Sequence, residues 1–305
     1  MANRKPVITV VGSSNTDMVV ITSALPRPGE TLLGGRFLMS AGGKGANQAV
    51  AAARLGGDVW FIAKTGDDIF GSQARELFRQ EGIHTEWIFT DTENPSGVAI
   101  INVDGNGENC IAVAPGANEN LMAEDIGRAG DAILNADLVL VQLEIPMETI
   151  MKVAELAGRS QGKLVLNPAP AHSLPEDLYR RIYAITPNET EAEKLTGVLV
   201  SDEASAGKAA QYLVDRGVKL VIITMGSKGA YIYEGETGKG RIVPAPKVRA
   251  VDTTAAGDVF NGALCVGLSE GMKLDDAVTF ANKAAAISVT RLGAQASAPW
   301  RKEIV

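Results

Sequence analysis

The chain of 305 residues, 46% hydrophobic and 21% charged, has the make-up of a folded globular protein large enough to bury a substantial core. Its net charge of -7 excludes a broad basic face for nucleic acid, no apolar run approaches the ~20 residues of a membrane span, and the run Val7–Val11 behind Arg4 and Lys5 is too short for a signal peptide. Two cysteines (Cys110, Cys265) and two histidines (His84, His172) exclude a disulfide scaffold and a Cys- or His-built metal site, so a soluble protein of a reducing, cytoplasmic compartment is expected.

Val7–Val11 is β-branched and closed by Gly12, which predicts a buried strand. Residues 17–41 then break into short, turn-punctuated alternating stretches. A helix over Asn47–Leu55, a strand over Val59–Ala63 and a helix over Gly71–Gln80 follow. Alternation returns in residues 95–114, where Ser96–Asn102 and Asn109–Ala114 flank Asp104-Gly105-Asn106-Gly107, a strong hairpin signal. Beyond it the pattern predicts a helix over Ala123–Asn135, a strand over Leu138–Gln142, a helix over Met147–Ser160 and strands over Leu164–Asn167 and Ala184–Thr186. A helix over Ala204–Arg216, a strand over Leu220–Thr224 and two closing helices, Gly257–Glu270 and Leu274–Thr290, complete the chain. Strands alternating with helices predict an α/β fold with a parallel sheet covered on both faces. The two alternating regions predict an antiparallel excursion, a small β lid inserted at about 17–41 and 95–114 into a single domain spanning residues 1–305.

Glycine supplies 33 of the 305 residues and gathers where apolar runs meet helical patterns. The strongest such junction is Asp252-Thr253-Thr254-Ala255-Ala256-Gly257-Asp258-Val259-Phe260. Small residues 254–257 leading into a helix leave unpaired N–H groups facing outward, which makes that entrance a candidate anion site. Asp258 then suits a base that takes a proton from a nucleophile attacking phosphorus, and the helix end should hold it ionised. Asp258 equally fits a first-turn acid that complements the helix dipole. A second junction, Ala41-Gly42-Gly43-Lys44-Gly45-Ala46-Asn47-Gln48, lacks the Walker spacing and reads as close backbone approach to a ligand, with Lys44 and Asn47 as polar reach, or as a plain glycine turn. After the first strand, Gly12-Ser13-Ser14-Asn15-Thr16-Asp17 carries one glycine where a dinucleotide fingerprint needs three. Asn15 and Asp17 there suit hydroxyl recognition, or turn formation. Asn188 and Glu191 stand at capping-box spacing and also suit a magnesium–phosphate complex contacted through water. Thr224-Met225-Gly226-Ser227-Lys228-Gly229 suits a nucleotide edge or an ordinary hairpin. The two histidines suit surface positions, with no Ser-His-Asp arrangement.

Together, the glycine-rich segment at 41–55, the Asp-Thr-x-Ala-Ala-Gly-Asp-x-Phe segment at 252–260, and Gln142-Leu143-Glu144, Asn167-Pro168-Ala169-Pro170-Ala171, Asn188-Glu189-Thr190-Glu191 and Gly293-Ala294-Gln295 resemble the PfkB family of carbohydrate kinases along the whole chain. The resemblance implies a three-layer α/β sandwich with a mostly parallel central sheet and a small β-sheet lid. It implies ATP-dependent phosphorylation of a sugar, and Glu144 with the Asn167 segment resemble family members that act on the 5-hydroxyl of D-ribose. By the same likeness Asp258 is the base and Ala255, Ala256 and Gly257 the anion hole. The sugar contacts are Asn15, Asp17, Gly42, Gly43, Lys44, Asn47 and Glu144. Asn188, Thr224, Met225, Gly226, Ser227, Lys228, Gly229, Gly257 and Asn282 face the nucleotide, Asn282 standing where some relatives carry histidine. Mg²⁺ falls to Asn188 and Glu191, and a monovalent cation, K⁺, to Asp252, Thr254, Ser288, Arg291, Gly293 and Ser297. The lid matches a β-clasp that pairs two subunits, which implies a homodimer. Two alternatives stay open: a 2-deoxyribose or other sugar kinase, and a non-catalytic sugar-binding regulator.

Overall fold

The computed structural model describes residues 4–160 and 162–304. Its strands are β1 (Val7–Val11), β2 (Asn15–Ile21), β3 (Arg36–Gly42), β4 (Asp58–Gly66), β5 (Ile88–Asp91), β6 (Gly97–Val103), β7 (Asn109–Ala114), β8 (Leu138–Val141), β9 (Lys163–Leu166), β10 (Ala184–Ile185), β11 (Leu220–Thr224), β12 (Ala230–Glu234) and β13 (Lys239–Val243). Its helices are α1 (Lys44–Arg54), α2 (Ile69–Gln80), α3 (Ala123–Arg128), α4 (Gly130–Leu134), α5 (Met147–Ala157), α6 (Glu176–Tyr179), α7 (Glu189–Thr196), α8 (Glu203–Asp215), α9 (Ala256–Ser269) and α10 (Leu274–Ser288). No helix among the described residues is long and apolar enough to cross a membrane.

Nine strands form the main sheet in the order β13-β12-β11-β10-β9-β8-β1-β4-β5. The strands from β11 to β5 run parallel, whereas β12 and β13 pair antiparallel at the edge. Burial explains the composition of the parallel strands, since side chains on both faces must be apolar. Ile8, Val10, Val59, Phe61, Leu140 and Val165 point to one face, where they pack with α1, α9, α10 and Phe78 of α2. Val11, Ile62, Val139, Val141, Leu164 and Ile223 point to the other, under α3 to α8. Each fully buried leucine or isoleucine of these layers contributes about 1.5–3 kcal/mol. The result is the expected three-layer sandwich.

Three expectations need correction. The segment Ala123–Asn135 is two helices rather than one, broken at Ala129 between Gly127 and Gly130, because glycine holds helical backbone poorly. The lid is a mixed sheet of order β3-β2-β6-β7, in which β2 runs parallel to β6 while the outer pairs are antiparallel. His84 is half-buried, stacked on Trp60 at 4.2 Å between ring centroids and bonded to Asp58 at 2.8 Å.

The chain fills the main sheet outward in both directions from β1 and β8. β1 is followed toward one edge by β4 and β5, and β8 toward the other by β9, β10 and β11. The carboxyl ends of β1 and β8 therefore flank a topological switch point, where open α/β sheets leave a crevice. The lid rises from that crevice, because β2 starts at Asn15, four residues beyond β1.

Candidate active site

At the switch point the loops after β1, β8 and β9 meet the N-termini of α1 and α9 through hydrogen bonds. Ser13, Asn15 and Glu144 line a cleft of about 640 Å³ with Val113 of β7, so the lid forms one of its walls. Strand register puts Asn15, Asp17 and Val113 on one face of the lid and Met18, Phe37, Met39 and Ile100 on the other.

Glu144, just beyond β8, is fixed by two donors: Ser13 Oγ at 2.5 Å and the Lys44 N–H at 3.0 Å. Asn15 Oδ1 accepts from Asn118 Nδ2 at 2.8 Å. Asp17 lies beside Gly42, so closely that a Cβ at Gly42 would collide with its carboxylate. Burial, with Glu144 and Asp258 nearby, pushes the Asp17 carboxyl up to about 6 against the pull of Lys44. Lys44 stands among four carboxylates. Burial would lower its ammonium pKa, but Asp258, Glu144, Glu191 and Asp17 outweigh that and raise it above the usual lysine value.

The glycines around Lys44 have a packing role. They admit neighbouring protein backbone rather than only a ligand: a Cβ on Gly43 would lie 2.7 Å from Asn15 N, and one on Gly45 would lie 2.6 Å from Gly12 C and Ser13 N. This packing locks α1 against the 12–15 turn.

Asp258 is the third residue of α9 and 6% exposed. Its Oδ2 accepts from Asn47 Nδ2 and its Oδ1 from Gln48 Nε2, both at 2.9 Å. Burial is the largest influence on the carboxyl and raises it, with Lys44, Asn47 and Gln48 pulling it down. The expectation that the helix end holds Asp258 ionised is therefore revised: burial opposes the charge, and Lys44 with two amide donors supports it. Ahead of it, Ala255 has φ +59°, the positive-φ alanine that starts the helix. The Ala256 N–H turns back to Thr253 O at 3.2 Å. Among the described residues the Ala255, Gly257 and Asp258 N–H groups have no bonding partner, and a Cβ on Gly257 would meet nothing within 4 Å. Of the 255–258 helix N-terminus expected to serve as an anion hole, Ala256 has its N–H bonded within the turn, and Ala255, Gly257 and Asp258 do not.

The sequence did not reveal the network that holds Asp258. Gln142 Nε2 donates to Gln48 Oε1 at 2.6 Å, and Gln48 Nε2 also reaches Asn167 Oδ1 at 3.0 Å. Asn167 donates to Thr186 O, Thr186 Oγ1 donates to Asn261 Oδ1 at 2.6 Å, and Asn261 Nδ2 returns to Gly257 O at 2.8 Å. The carboxylate and the hole are therefore parts of one buried polar chain. The available signal was a polar residue directly after each of the apolar strands β8, β9 and β10: Gln142, Asn167 and Thr186.

Among the residues expected to face a nucleotide, Asn188 bridges to Thr224, bringing those two loops together. Gly229 packs on the Val243 carbonyl, to which Asn282 Nδ2 donates at 3.0 Å. Met225 is buried, and its N–H donates to Gly229 O across the Gly226–Ser227 turn. Lys228 turns away, reaching Glu189 Oε1 and Ser201 O, both at 3.3 Å.

Among the described residues no three His, Cys, Asp or Glu side chains are grouped to hold a metal. Asn188 and Glu191 cap α7 reciprocally, each at 2.8 Å, which leaves one Glu191 oxygen uncommitted. Burial raises Glu191, with Lys44 and the Asn188 N–H opposing. A single free carboxylate oxygen fits a hydrated divalent ion. At the other candidate site, Asp252 joins two loops by accepting from the N–H groups of Thr254 and Gly293, both at 2.9 Å. Burial would raise Asp252, but these donors outweigh it and hold it below the ordinary carboxylate value. The Ser288 and Ser297 hydroxyls donate to Ala285 O and Ala294 O, and Arg291 pairs with Glu303 at 2.5 Å. What these residues can offer a cation is the Asp252 carboxylate and main-chain carbonyls, an all-oxygen set that fits a hard ion.

A family model described as pfkB family carbohydrate kinase matches residues 5–301. The chain is 47% identical to the ribokinase of Haemophilus influenzae over 296 residues, covering 97% of this chain and 96% of that one. It is 39% identical to the deoxyribokinase of Salmonella typhi, covering 96% and 95%. The structure of Arabidopsis thaliana ribokinase complexed with ribose and ATP superposes with a TM-score of 0.93 at 32% identity, over 99% of this chain and 98% of that one. The chain belongs to the pfkB family of carbohydrate kinases. It is a sugar kinase with the ribokinase-like fold.

Proposed function

We propose that this kinase transfers the γ-phosphoryl group of ATP to the 5-hydroxyl of D-ribose, giving D-ribose 5-phosphate and ADP. The observation that carries the reading is the buried Asp258 carboxylate, oriented by Asn47 and Gln48, directly beside the unpartnered N–H groups of the α9 entrance. In the proposed reaction Asp258 takes the hydroxyl proton as the O5–P bond forms and the bond to the β-phosphate oxygen breaks. The N–H groups of Ala255, Gly257 and Asp258 receive the charge of the transferring group. Asn15, Asp17, Lys44, Asn47 and Glu144, with the backbone at Gly42 and Gly43, hold the sugar. The nucleotide lies along Asn188, the 224–229 turn and Asn282, with Lys228 the residue of this set whose own contacts support it least. Glu191 and Asn188 would hold Mg²⁺ through water, and Asp252 with carbonyls of Thr254, Ser288, Arg291, Gly293 and Ser297 would hold K⁺. When bound, these ions neutralise phosphate charge that an acidic chain cannot.

We also infer a homodimer through the lid. Its outer face carries Phe37, Met39 and Ile100, which are 60%, 49% and 43% exposed, an apolar set that favours being covered. Cys110, a free and exposed thiol, suits the cytoplasm.

A turnover panel with ATP, Mg²⁺ and K⁺ tests the substrate reading. D-ribose is expected to give the highest kcat/KM among ribose, 2-deoxyribose, fructose and adenosine. Higher kcat/KM with 2-deoxyribose assigns the chain to the other activity found among its relatives, and binding without ADP formation points to a regulator.

A further inference from the structure

The sugar cleft contains an amide whose direction is fixed from outside it. Asn118, which is 1% exposed, lies behind Asn15. Its Oδ1 accepts from the Ser14 N–H at 2.9 Å, and its Nδ2 donates to Pro115 O at 2.9 Å and Ser14 O at 3.2 Å. One main-chain donor and two main-chain carbonyls allow that amide a single orientation, because oxygen cannot face carbonyls nor nitrogen an N–H. With its orientation set, Asn118 Nδ2, sharing its two hydrogens among three acceptors, also donates to Asn15 Oδ1 at 2.8 Å. Asn15 must then turn its own Nδ2 the other way, where it has no partner among the described residues. Gly97 makes room for the pair, since a Cβ there would strike both amides.

Asn15 and Asn118 both line the cleft beside Glu144. The wall therefore presents the Asn15 N–H donor next to Glu144, whose carboxylate accepts. A sugar hydroxyl matches this by accepting from Asn15 and donating to a carboxylate, and a carbon without that hydroxyl leaves the Asn15 donor unpaired. We infer that Asn118 is a positioning residue that sets substrate specificity by locking the Asn15 amide as a donor toward one sugar hydroxyl. This rests on the sugar-kinase reading above and deepens it.

The test is a double-mutant cycle read by sugar KM, kcat and the calorimetric sugar Kd. Asn118→Asp places an acceptor against Asn15 Oδ1 and turns the Asn15 amide around. We expect sugar KM and Kd to rise ~10–100-fold, with kcat within about 2-fold and the KM for ATP unchanged, the scale of one mispaired buried polar group. The same substitution in an Asn15→Ala background is expected to change KM less than about 2-fold, because no amide remains to be turned. If Asn118→Asp does not fold, Asn118→Ala supplies the same cycle with a smaller first step. Equal losses in both backgrounds, or losses confined to kcat, would overturn the inference. A wild type that binds a sugar without turning it over sinks the proposed reaction but leaves the cycle readable by Kd, and one that binds no sugar overturns both.

Discussion

The entrances of α1 and α9 look alike in sequence, and the structure separates them. Gly42-Gly43-Lys44-Gly45 and Ala255-Ala256-Gly257 are both runs of small residues opening a helix. At α1 the missing side chains are filled by the protein: the backbone of Gly12–Asn15 and the carboxylate of Asp17 occupy the space where Cβ atoms would be. At α9 the space beside Gly257 is open and its N–H is unpaired. Small residues thus serve two purposes, one of packing and one of access, and substitution tests the distinction.

The largest effect on stability is expected at α1. Gly45→Ala puts a Cβ 2.6 Å from Gly12 C and Ser13 N, where only backbone movement can relieve it. We expect a loss of about 3 kcal/mol in denaturant unfolding, and a change under ~0.5 kcal/mol would show that the contact is soft. Gly257→Ala sharpens the contrast. With nothing within 4 Å of the new Cβ, stability should stay within about 0.5 kcal/mol. Turnover should fall ~10-fold or more if a phosphoryl group must come close to that N–H, on the scale of a weakened oxyanion donor. Unchanged stability and unchanged turnover together would remove the anion hole.

The smallest effect concerns Asp17, whose carboxyl is pushed by burial up to about 6 in the folded chain, above the ordinary aspartate value of about 3.8. The folded state binds the extra proton, so ionising Asp17 costs stability as pH rises from about 3.8 through 6, and below that window the cost is absent. Asp17→Asn should therefore raise Tm at pH 7 by a few degrees and leave it unchanged near pH 4. Sugar affinity should also weaken as the wild type is taken below pH 6, an effect the variant should lack. A Tm difference that does not vary with pH would contradict this account.

What the sequence conveyed follows the same division. β1, β4, β8, β9, β10 and β11 were legible because strands buried on both faces carry unbroken apolar runs, such as Leu138–Val141. The helix break at Ala129 and the parallel pairing of β2 with β6 were not, since one depends on local glycine cost against packing and the other on segments 80 residues apart. Among the candidate site residues, the carboxylates and the glycine runs stood out by type. Gln48 and Asn261 did not, because an amide within a helix carries no signal until that helix docks, and Gln142 and Thr186 were marked only by directly following apolar strands. Asn118 lay in the stretch after the lid hairpin, where turn residues are ordinary. The direction of the Asp258 pKa was likewise hidden, because it depends on burial rather than on helix position.

The most direct measurement is single-turnover phosphorylation and sugar binding by Asp258→Asn. Proton removal by this carboxylate predicts a rate ~10²–10⁴-fold below wild type with the sugar Kd held within about 10-fold. A variant that phosphorylates within about 3-fold of the wild-type rate contradicts the assignment of Asp258 as the base.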